Sequence, residues 1–294
     1  MSQQRLARGQ ASLGRRVKTT MVCSALLTAT LIAVMASPLS AAGIIPPNNP
    51  SANVAASPNF YVSGRCTNNG SGWLCPNPCV TKALKFPAYD DGRACANYVL
   101  RAVNNARAKE GVSAMVLPTN WQRLNAPEQV FVLTDLERTA RGLPPFIGLN
   151  ETLTRTAQVA AQRTEDPQEA PGFAYGDDPQ GAPAVSGILA IGESTLEADF
   201  GWMYEDGWGG SVAKTPNYDC TSSSAAGCWG HRDAILGLVE QVGVGLQCTT
   251  CEMGVGFAIV RGQSSFTGLI ERPAGTPPPQ YFTWARDVEP YLSH

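Results

Sequence analysis

The stretch Gly227-Cys228-Trp229-Gly230-His231-Arg232-Asp233-Ala234-Ile235-Leu236 sets one of the chain's two histidines beside an arginine, with an apolar run behind them. It reads as a loop entering a brief helix from His231 to Leu238. Upstream, Trp202-Met203-Tyr204-Glu205-Asp206-Gly207 ends another helix on two acids and a glycine stop. A helix C-terminus carries partial negative charge and disfavours anions by about 0.3–1 kcal/mol. Two carboxylates there call for a cation, and His231 or Arg232 is the natural candidate. Carboxylate–imidazole pairing raises the histidine pKa and positions a water. Between these stretches and the N-terminus lies Ile191-Gly192-Glu193-Ser194, where Ser194-x-x-Glu197 forms a capping box for the same helix.

Reading outward, Ala94 to Glu110 has helical periodicity through Leu100, Val103 and Ala106, with Gly111 as its stop. Pro127 opens a second helix whose inner face is Val130, Leu133, Leu136 and Ala140. Asn150 caps a third, with Leu153, Ala157, Ala160 and Ala161 inward. Ile188 to Ile191 is a short buried run. Two strands follow the His231 helix: Val242, Val244 and Leu246 alternate with glycine, then Val255, Phe257 and Ile259 alternate with glycine and alanine. One face of that hairpin is bulky and the other bare, so a helix or ligand can approach its backbone closely. Helices flanking a small, late sheet make an α+β pattern with one core over residues 94–272. The Pro-rich tail, 273–294, is expected to wrap the surface through Tyr281, Phe282 and Trp284.

The 294 residues include 22 basic against 24 acidic side chains, with 29 Gly, 22 Pro and nine Cys. That composition excludes disorder, coiled coil and collagen, and the lack of basic runs argues against nucleic-acid binding. Residues 1–42 read as a secretory signal: Arg5, Arg8, Arg15, Arg16 and Lys18, an apolar stretch from Thr19 to Ala36, then Ser40-Ala41-Ala42 for cleavage. Retention as a membrane anchor is the competing reading, since the apolar stretch is about the length that just spans a bilayer. Cleavage leaves 17 basic and 24 acidic residues, a net charge of −7, on a secreted or cell-surface protein with no membrane span.

Cleavage also leaves eight cysteines: Cys66, Cys75, Cys79, Cys95, Cys220, Cys228, Cys248 and Cys251. In an oxidising compartment this even number reads as up to four disulfides. Cys220 with Cys228 and Cys248 with Cys251 are the local pairings, and the other four, Cys66, Cys75, Cys79 and Cys95, knit the N-terminal segment; residues 43–93 are a linker to about Val62 followed by a cysteine-bearing segment. A zinc site from the Cys75-x3-Cys79 and Cys248-x2-Cys251 pairs is the alternative.

Taken in order, these motifs resemble the CAP superfamily, in its bacterial SCP-domain type. Glu193 in Gly-Glu-Ser looks like the family's Gly-Glu-Asn glutamate, Trp202-x-x-Glu205 like its second glutamate, and Gly230-His231-Arg232 with Ile235-Leu236 like its histidine signature. Leu136-Glu137-Arg138 with Gly142-Leu143-Pro144-Pro145 resembles the end of its first helix. The resemblance covers about residues 125–260 and implies a three-layer α–β–α sandwich, with a small central antiparallel sheet and a cleft holding two His and two Glu. This chain departs from that pattern, because Gly176 stands near the expected first histidine. What remains is a cleft triad of Glu193, Glu205 and His231. A two-histidine metal site loses its ligands, and neither metal nor cofactor is expected.

Other enzyme signatures are incomplete: His231-Arg232-Asp233 lacks the rest of a kinase, and there is no Gly-x-Ser-x-Gly elbow. A Ser-His-acid arrangement through Ser194 is open, although a helix cap explains that serine. The leading expectation is a non-catalytic protein binding a small hydrophobic or peptide ligand, with Trp202, Trp208 and Trp229 as apolar walls and Arg232 beside them. The alternatives are a hydrolase in which the triad activates water, and an envelope structural or adhesion module working through its linker and tail.

Overall fold

The computed structural model describes residues 48–54, 67–68, 73–74, 79, 93–167, 185–191, 194–237, 251–272 and 278–292. Residues 1–42, Gly176, Glu193, Cys66, Cys75, Cys248 and the Val242–Leu246 strand lie outside these ranges.

Two short strands, β1 (Thr67–Asn68) and β2 (Trp73–Leu74), form a separate antiparallel pair. The main elements are α1 (Arg93–Lys109), α2 (Ala126–Thr139), β3 (Leu149–Asn150), α3 (Glu151–Arg163), β4 (Val185–Ile191), α4 (Thr195–Tyr204), α5 (Gly230–Leu236), β5 (Glu252–Val260), β6 (Gln263–Glu271) and β7 (Gln280–Phe282). Local chemistry sets their ends. Asn125 accepts from the Glu128 amide at 3.1 Å while Glu128 returns to the Asn125 amide at 2.9 Å, and Pro127 sits in the first turn of α2. Asn150 Oδ1 accepts from the amides of Thr152 and Leu153 at the start of α3.

The five-stranded sheet runs β4-β6-β5-β3-β7. Its three longer strands are antiparallel, with Phe257 opposite Phe266 and Ile188 opposite Gly268 in register. One pairing departs from the expected all-antiparallel sheet: β3 lies parallel to β5 through Leu149 and Met253. The hairpin also differs from the sequence reading. The Val255–Ile259 strand is its first arm, and its partner is Gln263–Glu271, a polar-looking segment that alternation did not flag. Ser264, Ser265, Thr267 and Glu271 are nonetheless buried there.

The bare face of that hairpin receives α3. A side chain at Gly254 would overlap the backbone of Leu153 and Thr154, and one at Gly256 that of Ala157. Glycine thus permits helix and strand to meet backbone to backbone. Thr267 Oγ1 donates to the Ala157 carbonyl at 2.6 Å, and Gln158 bonds both the N–H and C=O of Phe257. On the opposite face Met253, Val255, Phe266 and Ile270 join the core with α1, α2, α4 and α5. The result is the three-layer α–β–α, α+β arrangement.

Two tail-end expectations change. Gln280–Phe282 is an edge strand beside β3, and Phe282 is buried edge-on against Phe131 at 5.7 Å, so this part of the tail completes the sheet. Residues 48–54, read as linker, dock instead: Val54 is buried in the core and its N–H donates to Tyr204 O at 2.8 Å.

Disulfides join Cys79 to Cys95 and Cys220 to Cys228, and Cys251 is also disulfide-bonded. That removes Cys79 and Cys251 as zinc thiolates. Sulfurs of Cys79 and Cys95 lie within 4.8 Å of a Glu197 carboxylate oxygen, but as a disulfide they offer a metal no thiolate. Among the described residues no helix is long and apolar enough to cross a membrane.

Candidate functional site

The site forms where the end of α4 meets the start of α5. Ser194 Oγ accepts from the Glu197 amide at 3.3 Å, and Glu197 returns to the Ser194 amide at 2.8 Å. That reciprocal cap is the structural role of Ser194. Helix α4 is buried almost throughout and stops at Tyr204, delivering Glu205 and Asp206 to the junction. Helix α5 begins at Trp229, held left-handed at φ 66°, whose N–H donates to Asp206 O at 2.9 Å. The Trp229 indole lies against Gly207, where a side chain would overlap the ring.

The Asp206 carboxylate organises the junction. Oδ2 accepts from the amides of His231 at 2.8 Å and Arg232 at 3.2 Å. Oδ1 lies 2.7 Å from His231 Nδ1 and accepts from Asn217 Nδ2 at 2.8 Å. Asp206 thereby caps α5 from a distant part of the chain, placing negative charge at the positive end of that helix. It is buried, whereas the His231 side chain keeps 20% of its surface exposed. With Nδ1 engaged, Nε2 is the ring nitrogen with no hydrogen bond among the described residues.

Burial of His231 opposes its charge, but the Asp206 hydrogen bond and the negative charges of Asp206, Asp166 and Asp219 outweigh it, so its pKa is raised above 6.5. Protonated, the ring donates from both nitrogens. Glu205 sits beside this pair in sequence, half-buried, with no side-chain hydrogen bond among the described residues. Burial pushes its pKa up to about 7. Both candidate partners therefore meet the end of α4: His231 pairs with Asp206 rather than the expected Glu205, and Arg232 donates to the Met203 carbonyl. The signal for Asp206 was present in the Glu205-Asp206 pair, but sequence does not say which carboxylate turns toward α5. Asn217 carried no signal at all. It also donates to the carbonyls of Asp206 and Gly227, closing the loop that Cys220–Cys228 staples. That loop leaves Tyr218 94% exposed.

Two expected ligand contacts are spent elsewhere. The Trp202 ring is buried and its indole N–H donates to Leu189 O at 2.9 Å, tying α4 to β4. Arg232 is 1% exposed, pairs with Glu110 at 3.0 Å, donates to Met203 O and lies over the Trp229 ring. Trp229 is buried beneath the junction, while Trp208 remains half-buried. Glu110 links Arg232 to Arg141 at 2.7 Å, and Arg141 pairs with Glu137, which accepts the Tyr204 hydroxyl at 2.9 Å. Arg138 donates to Ile235 O at 2.7 Å and so anchors the far end of α5. The junction rests on a closed ionic floor.

No family model matches the sequence, and no curated protein matches it. Among solved structures, a distant neighbour is venom allergen-like protein 4 of Schistosoma mansoni. It is 14% identical, is matched over 54% of this chain and 96% of its own, and superposes with a TM-score of 0.30.

Proposed function

We propose that this chain is an exported binding protein, cleaved after its signal segment, whose junction of α4 and α5 takes a peptide or small hydrophobic ligand and does no chemistry on it. The observation that carries the reading is the pairing of His231 Nδ1 with Asp206 at 2.7 Å. Asp206 orients the ring and favours its protonated form, and a protonated imidazole cannot act as a base until it gives up that proton. It is a good donor. Nε2–H suits a carbonyl or carboxylate on the ligand, and charge-assisted bonds of this kind are roughly twice as strong as neutral ones. Trp208 and Tyr218, on the loop that joins the two helices, supply apolar surface for the rest of such a ligand.

Native mass spectrometry of the exported protein tests this. The wild type is expected to carry a co-purified ligand that His231→Gln loses while its fold persists. A wild type with no bound species, under conditions that preserve known complexes, contradicts it.

A hydrolase is the second reading, and Glu205 favours it, because a carboxyl with a pKa of about 7 is matched to acid–base work at neutral pH. Peptide and cell-wall substrates assayed with Glu205→Ala and His231→Ala decide the matter. Turnover by wild type that both variants abolish establishes the hydrolase, and no turnover by wild type removes it.

A further inference from the structure

Residues 48–54 touch both halves of the junction. Asn49 Nδ2 donates to Asp233 Oδ1 at 2.7 Å, on α5, across 184 positions of sequence. Five residues later Val54 donates its N–H to Tyr204 O, the last carbonyl of α4, and buries its side chain in the core. Tyr204 precedes Glu205 and Asp206 directly, and Asp233 stands two residues beyond His231. Residues two apart on a helix point to different sides, so an anchor on Asp233 grips α5 while leaving the His231 ring its own exposure. The carbonyl of Tyr204 belongs to the last turn of α4, where carbonyls lack an intrahelical donor. Val54 supplies one. Between the two anchors, Ser51 and Ala52 are exposed, so this segment is held at its ends and free in the middle, as a bound peptide is.

We propose that Asn49–Val54 is a docking strap, an intramolecular peptide ligand of a groove between α4 and α5, and that its seating fixes the distance between Asp206 and His231. Asn49 and Val54 are positioning residues: neither touches the imidazole, and each holds one of the two elements that bring it to its carboxylate. The groove takes a short segment, bent at Ser51 and Ala52, with a carboxamide at one end and a β-branched aliphatic residue five positions on. The inference concerns the geometry of the pair and holds whichever ligand the junction takes.

A specific protease site inserted directly after Val54 lets the strap be cut from the folded, oxidised chain and dialysed away. The histidine titration by NMR and the amide exchange of His231 and Arg232 are then read. Without the strap, the His231 midpoint is expected to fall toward 6.5 and both amides to exchange at least about tenfold faster, as the cap from Asp206 loosens. A synthetic peptide of residues 43–54 should restore both signals, and the same peptide with Asn49→Ala and Val54→Asp should not. Unchanged signals after strap removal, or failure of the wild-type peptide to restore them, overturn the proposal. In the uncut chain, Asn49→Ala combined with Val54→Ala must move both signals in the same direction. Wild-type values in that double variant overturn the proposal even if the cut chain unfolds.

Discussion

The chain holds its charges in two ways, one beneath the α4–α5 junction and one at its surface. Below, Arg232, Glu110, Arg141, Glu137 and Tyr204 form a continuous string in which each charge finds its partner within the fold. Above, Asp206 is as buried as that string but its partner His231 is partly open, and Glu205 has no partner among the described residues. Both regions use the same residue types, so residue type alone does not mark a binding site. What sets the upper region apart is that its ionisable groups reach the surface, His231 with 20% of its side chain exposed and Glu205 half-buried. Arg232 and Trp202 illustrate the converse, since either in a cleft-lining motif suggests a ligand contact, and both are consumed inside.

Breaking the closed string should cost most. Glu137→Leu leaves Arg141 and Arg107 buried without their shared carboxylate, and losing one partner of a buried pair costs about 3–5 kcal/mol. Urea unfolding measures it, and a loss below about 1 kcal/mol would mean that the string is not closed as described. Opening the Cys220–Cys228 staple by a double Ser substitution frees a short loop, for which chain entropy gives about 2.5 kcal/mol. Binding should weaken alongside, because Asn217 loses its fixed position beside Asp206.

Glu205→Gln should stabilise. The unfolded carboxyl ionises near 4.5 and the folded one near 7, so stability falls as pH rises between them and stays lower above 7. Removing the charge should recover about 2 kcal/mol at pH 8, discounted for partial exposure, and nothing at pH 4. Equal effects at the two pH values would show that burial is not the cause. His231→Gln is the smallest change, about 1 kcal/mol. The histidine pKa is raised on folding, so its contribution is complete below 6.5 and disappears as pH rises through the folded value. Thermal unfolding of wild type and variant should therefore converge above that value.

Much of the frame was legible in sequence. Caps at Asn150 and Ser194, the proline at the start of α2 and the glycine face of β5 depend on local chemistry, and each stands where that chemistry requires. Strand β6 was hidden because Ser264, Ser265, Thr267 and Glu271 read as solvent-facing, whereas neighbours on both sides bury them. The docked strap and the Phe282 edge strand depend on contacts between distant parts of the chain, which no local pattern records. At the site, His231 and the acidic end of α4 were visible. The choice of Asp206 over Glu205 was not, since it turns on which way two adjacent side chains leave the end of a helix.

Asp206 favours the protonated form of His231, in which the ring is a donor to a ligand. With only two histidines in the chain, an NMR titration of the imidazole resonances resolves His231 against His294. His231 is expected to titrate above 6.5 in wild type, and Asp206→Asn to lower its midpoint while His294 stays unmoved. A His231 midpoint at or below 6.5, indifferent to Asp206→Asn, would contradict it.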